Sequence, residues 1–136
     1  MPASDVASLV SALQSALRDR SGVVVAFLFG SVARGAPRSD SDIDLAIVAP
    51  GVDWLALGAE LTRSLGREVD VVPLDNAGIP LLEEVLRDGI VVHEAYPGAA
   101  AIFRSRALTT LETDRPWFAR MRDAWLRRVA EKGIGW

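Results

Sequence analysis

Seven consecutive apolar residues, Val23 to Phe29, stand between Gly22 and the pair Gly30-Ser31. A run this short, and this rich in β-branched and aromatic side chains, fits a strand buried on both faces better than a helix. It is the longest strongly apolar run in the chain, and it falls far short of the ~20 residues that a membrane-spanning helix needs.

The flanking sequence is read around that strand. Upstream, Val6, Leu9, Val10, Leu13 and Leu17 recur at three- and four-residue spacing, and Ser4 is a suitable N-cap before Asp5. This predicts a helix over residues 4–18. Downstream, Gly30 to Ser41 holds two Gly, one Pro, three Ser and two Arg, a turn with room for a short helix around Val32–Gly35. From Asp42 to Val48 the pattern alternates. Asp42, Asp44 and Ala46 face one way and Ile43, Leu45 and Ile47 the other, as in a strand with one core face.

Pro50-Gly51 closes that strand, and Trp54–Leu65 follows as an amphipathic helix stopped by Gly66. Glu68–Val72 alternates again and ends at Pro73. Pro80 opens a short helix over Leu81–Arg87, with Gly89 behind it and a last strand at Ile90–His93. From about Ala99 the chain is helical. Phe103, Ala107 and Leu111 form one stripe; Trp117, Met121, Trp125 and Val129 form another. Between them, Thr113-Asp114-Arg115-Pro116 starts a second helix or kinks one long helix. The reading is one α/β domain: residues 1–98 form its body and 99–136 a helical C-terminal extension.

Composition narrows the chemistry. At 136 residues the chain is large enough to bury a core without staples, and 50% hydrophobic content with a net charge of −3 excludes disorder. Zero cysteines exclude a disulfide framework, a thiolate zinc site and a cysteine nucleophile; one histidine excludes a histidine-rich metal centre. The N-terminal stretch lacks a basic leader, and Ser4, Ser8, Ser11 and Ser15 interrupt its apolar residues, so a cytoplasmic protein is expected. Charge is uneven: residues 1–100 carry seven basic and fourteen acidic side chains, residues 101–136 eight and four. A basic tail on an acidic body meets something anionic, packs on its own domain, or is simply a solvated face.

The chemically informative stretch is Gly30-Ser31 followed, after ten residues, by Asp42-Ile43-Asp44. Glycine lets backbone approach a ligand closely, and successive amides at such a turn can bind phosphate oxygens. Asp42 and Asp44 lie two apart on one strand, which places both carboxylates on one face, ~7 Å apart along the chain. Two such charges are unfavourable unless a cation lies between them. A few carboxylates plus substrate phosphates are how Mg²⁺ is usually held. Asp70, in Val69-Asp70-Val71, offers a third carboxylate on the face opposite the core, and three would converge if its strand neighbours the first pair.

Two other motifs fail. Gly30 to Gly35 has P-loop glycine spacing, but Ala36-Pro37 replaces Lys-Ser/Thr; Asp40, Asp42 and Asp44 open like an EF-hand, but Leu45 and Gly51 stand where Gly and Glu are required.

The sequence GSVARGAPRSDSDIDL, with its Gly-Ser-x10-Asp-x-Asp spacing, resembles the signature of the DNA polymerase β-like nucleotidyltransferases. The likeness is greatest to the minimal nucleotidyltransferases, or MNT-type antitoxins. It extends to the preceding strand, Val69-Asp70-Val71, the Leu81–Gly89 helix and the Phe103 to Pro116 tail. The resemblance implies the nucleotidyltransferase fold, a small mixed β-sheet packed with helices. It implies that Gly30 and Ser31 hold a triphosphate and that Asp42 and Asp44 ligate Mg²⁺, in a pair of ions. Asp70 would complete the metal site and help to deprotonate the acceptor hydroxyl. Arg34, Arg38 and Ser41 are further nucleotide-loop candidates; solvated arginines, and a turn-shaping role for Asp40 and Ser41, are the competing readings.

Such proteins pair with HEPN-domain toxins, and some transfer AMP from ATP to a toxin tyrosine. The implied role is therefore an adenylylating antitoxin of a type VII-like pair, with a HEPN toxin and a nucleoside triphosphate as partners. No membrane and no direct nucleic-acid contact are expected. A nucleotidyltransferase acting on a small hydroxyl compound and a non-catalytic binding module stay open as alternatives. His93 reads as a surface residue at a strand end. The Trp117–Val129 stripe reads as packing on the domain or as a partner surface flanked by Arg120, Arg122, Arg127 and Arg128.

Overall fold

The computed structural model describes residues 3–34, 42–75 and 77–132. In chain order the elements are α1 (Ala3–Arg18), β1 (Val25–Phe29), α2 (Gly30–Ala33), β2 (Ile43–Val48), α3 (Trp54–Leu65), β3 (Val69–Pro73), α4 (Ile79–Asp88), β4 (Ile90–Glu94) and α5 (Ala99–Lys132). Every element predicted from periodicity is present within a few residues of its expected bounds.

The four strands form one sheet in the order β3-β2-β1-β4. β1 is antiparallel to both of its neighbours, while β2 and β3, joined through α3, run parallel. The sheet is therefore mixed. All five residues of β1 are buried, as its uninterrupted apolar run requires.

Helices cover both faces. Leu9, Leu13 and Leu17 of α1 and Leu57 and Leu61 of α3 pack on Ala26, Leu28, Ile43, Leu45, Ile47, Val69 and Val71. On the other face, Leu82 and Val85 of α4 and Ala99, Ala100, Ala107 and Leu111 of α5 pack on Val25, Phe27, Phe29 and Ala46. The expectation that β2 has one core face is corrected by this layer. The α4 and α5 side buries Ala46 completely, so the face bearing Asp42 and Asp44 is polar only at its N-terminal end.

Local chemistry sets the joints. Asp53 caps α3 by accepting from the Ala56 N–H at 3.1 Å, and Gly66 ends it in a left-handed turn at φ 73°. The Thr62 hydroxyl donates to the Gly58 carbonyl at 2.8 Å and accepts from the Val69 N–H at 3.0 Å, tying α3 to the first residue of β3. Glu94 accepts from the Ala100 N–H at 2.8 Å, joining the end of β4 to the start of α5. Phe103 meets Phe27 with ring centroids 5.5 Å apart, and the Arg104 guanidinium lies 5.3 Å from the Phe27 ring centroid.

Pro73 ends its strand as expected and is itself the last residue of β3, opposite Ile47; an edge strand tolerates the missing N–H. Of the two readings of Thr113–Pro116, a second helix or one long helix, the structure has the long helix: α5 runs through Pro116. Proline costs that helix one intrahelical hydrogen bond, which the turns on either side outweigh.

Replacing Thr62 by Val keeps the shape but leaves the Val69 N–H without its acceptor. Urea unfolding of Thr62→Val should show a loss of about 1–3 kcal/mol, and Thr62→Ser, which retains the hydroxyl, a smaller loss.

Candidate active site

β1 delivers the chain to the site. Its last residue, Phe29, lies opposite Asp44 of β2, so Gly30 leaves the sheet directly beside that carboxylate. Gly30 has φ 78°, and a Cβ on it would run into the Asp44 side chain. Glycine is needed there twice, for the turn and for the close approach. Ser31 follows, half-buried, in the short α2, and the Arg34 N–H donates to the Gly30 carbonyl at 3.2 Å to close the turn.

The second feature is the register of the parallel pair. Asp44 of β2 stands opposite Asp70 of β3. Neighbouring strands are about 4.8 Å apart, and side chains at matched positions project from the same face. Asp42, exposed and two residues before Asp44, shares that face by alternation. The register thus sets Asp44 and Asp70 side by side near the Gly30 turn, with Asp42 one residue before β2.

α4 adds a residue that the sequence reading missed. Burial raises the Asp44 pKa above its ordinary 3.8, and the carboxylates of Asp70, Glu84 and Asp42 raise it further, against a smaller opposing pull from Arg34. Glu84 therefore belongs to the electrostatic environment of the site. Arg34, a nucleotide-loop candidate, reaches α4, with its Nη1 3.6 Å from Glu84 Oε2 and 3.4 Å from Asp88 Oδ2. Asp88 also accepts from Arg87 Nε and Nη2 at 3.2 and 3.1 Å, and this bond is the main cause holding its carboxyl below the usual range. Glu84 and Asp88 are four apart on α4 and share one face; that spacing was the available signal, masked by its likeness to an ordinary solvated helix face.

The donor set suits a hard cation, since carboxylate oxygens are the ligands Mg²⁺ prefers. Among the described residues no three His, Asp or Glu side chains already form a group that could hold a metal ion. The expected convergence of Asp42, Asp44 and Asp70 is therefore not seen, although Asp44 and Asp70 are in register. Arg38 and Ser41, named as nucleotide-loop candidates, lie outside the described residues.

A groove of about 880 Å³ lies at the opposite edge of the sheet, between the end of α1 and β4, lined by Arg18, Arg20, His93 and Glu94 among others. Size does not make it the reactive site, because it lacks paired carboxylates. His93, expected at the surface, is half-buried there and donates from Nε2 to the Val23 carbonyl at 3.1 Å. A smaller cleft of about 480 Å³ adjoins Asp70, between β3 and α3.

Residues 11–97 match the family described as polymerase beta, nucleotidyltransferase. The protein adenylyltransferase MntA of Thermococcus cleftensis is 29% identical over 92 residues, covering 65% of this chain and 93% of that protein. A chain of a toxin-antitoxin crystal structure with AMP-PNP superposes with a TM-score of 0.69 at 23% identity, over 85% of this chain and 98% of that one. A chain of the tri-AMPylated Shewanella oneidensis HEPN toxin in complex with MNT antitoxin gives 0.66 at 21% identity, over 88% and 98%. At these identities the two structures establish a shared fold. Among the described residues, no helix is long and apolar enough to cross a membrane.

The raised pKa of Asp44 has a signed consequence for stability. Its folded form holds a proton more tightly than the unfolded chain, so stability is lost as pH rises from below 3.8 through the raised value. Asp44→Asn in chelator should therefore be more stable than the parent at pH 7, with the difference vanishing in acid; unfolding midpoints across pH read this out. Gly30→Ala should lose about 1 kcal/mol or more from its backbone conformation alone, before any clash with Asp44.

Proposed function

This chain belongs to the polymerase beta nucleotidyltransferase family, and on that basis we propose that it is an ATP-dependent protein adenylyltransferase that silences a HEPN-domain toxin. The observation that carries the reading is the in-register pair Asp44 and Asp70 beside the Gly30 turn. The adenylyltransferase name of the Thermococcus relative and the fold shared with the AMPylated toxin complex support the donor, the acceptor class and the antitoxin role.

In this reading the backbone of Gly30 and Ser31 and the Ser31 hydroxyl grip the triphosphate of ATP, with Arg34, Arg38 and Ser41 completing the loop. Asp42 and Asp44 hold Mg²⁺, and Asp70 completes the set. When bound, the metal neutralises these carboxylates and stabilises charge on the phosphate oxygens. An acceptor hydroxyl, such as that of a tyrosine on the toxin, attacks the α-phosphorus. Its proton passes to the Asp70 carboxylate, a new O–P bond forms, the α–β bridging bond breaks, and pyrophosphate leaves. Arg34, released from Glu84 and Asp88, pairs with the departing charge in this reading. A cytoplasmic location, where ATP and such a toxin meet, completes the reading.

The test is transfer from α-labelled ATP to the toxin. Label should appear on the toxin, gained in steps of one AMP mass, and disappear with Asp42→Ala/Asp44→Ala or with chelator. Asp70→Asn, if that carboxylate takes the proton, should lower kcat by roughly 10²–10⁴-fold. Undiminished labelling by the double variant would overturn the assignment.

A further inference from the structure

Eighteen residues make five turns of α-helix, so positions 18 apart lie on the same face. On α5 this step carries Phe103 to Met121, Ala107 to Trp125, Leu108 to Leu126 and Leu111 to Val129. Phe103, Ala107 and Leu111 pack into the layer between α4 and β1. Their counterparts Met121, Trp125 and Val129 continue the same stripe, Met121 53% and Trp125 50% exposed and Val129 half-buried, while Leu126, 49% exposed, extends the side of the likewise exposed Leu108. Their half-exposure leaves apolar surface of this stripe open to a partner. At 100° per residue, Arg128 borders the stripe on one side, and Arg122 lies between Val129 and Leu126. Asp123, Arg127 and Glu131 lie on the far face. Arg122 pairs with Asp123 at 3.6 Å, but both are more than half exposed, and a surface pair of this kind exchanges cheaply.

We propose that the distal half of α5, through Met121, Trp125, Leu126 and Val129 with Arg122 and Arg128, docks the acceptor protein on an apolar helical seam edged with Asp and Glu. The identification of that partner rests on the function proposed above; the surface rests on the continued stripe and its cationic edge. A second copy of this chain is the poorer occupant, because a symmetric α5–α5 pair would set Arg122 and Arg128 against like charges. About 30 Å of helix lies beyond Leu111 at 1.5 Å per residue, enough for a seam of several turns.

The test uses the full chain and the HEPN-domain protein of the same cells. Met121→Glu/Trp125→Ala should weaken their complex at least about tenfold, and Arg122→Glu/Arg128→Glu should weaken it and flatten its salt dependence. Neither variant should change ATP affinity or helical content. Equal binding by parent and variants overturns the surface, as does the absence of any complex with the parent. Self-association of the chain that Met121→Glu abolishes assigns the stripe to a second copy and also overturns it. A complex that forms and is broken by Met121→Glu, but carries no AMP, sinks the transferase reading and leaves the surface standing.

Discussion

Parallel pairing of β2 with β3 places two carboxylates, 26 positions apart in the chain, side by side. The proposed active site depends on that register. A slip by one residue would turn Asp70 into the α3 layer and bring a valine to the face it now occupies. The pairing is held by apolar contacts on the other side of the sheet, Ile43, Leu45, Val69 and Val71 against α3, and by Thr62 at the start of β3. Hydrophobic packing thus enforces an electrostatic arrangement that would not assemble by itself. The same division appears at β1, where a wholly buried strand ends on a glycine pressed against Asp44.

Arg34 shows how the folded chain tempers this concentration of negative charge. Between the Gly30 turn and α4 it meets Glu84 and Asp88, and its pull on Asp44 opposes three carboxylates. The arrangement links the loop after β1 to α4 through exposed ion pairs worth little individually. Such contacts are easily exchanged for phosphate, which a guanidinium binds in the same forked geometry. The acidic residues of α4 and the loop arginine are therefore better understood as one unit than as separate surface charges.

Much of this was legible in the sequence because the governing patterns are local. The apolar run at β1, the alternation of β2 and the periodicities of α1 and α3 each depend on neighbouring residues alone. Asp42 and Asp44 could be placed on one face for the same reason. Whether Asp70 joined them could not be read locally, since it depends on which strand lies beside β2. Glu84 escaped because its influence on Asp44 depends on where α4 packs, which no local pattern reports. The burial of Ala46 escaped because the alternation of β2 cannot report a second helical layer. At Pro116 a residue that usually interrupts a helix was overruled by the turns of α5 on either side. The reach of α5 beyond its own core was invisible to periodicity, which gives the face of a helix but not what covers it.

The uninterrupted passage of α5 through Pro116 has a geometric corollary. Its root is fixed by Glu94 at the end of β4 and by Phe103 against Phe27, so the far end has no independent choice of heading. Adding or deleting a single residue between Leu111 and Met121 would swing everything beyond it by about 100°. Only changes that approximate whole turns, in steps of three, four or seven, would keep the outer side chains aimed as they are. That stretch is thus constrained in length even where the identity of its residues is free to drift.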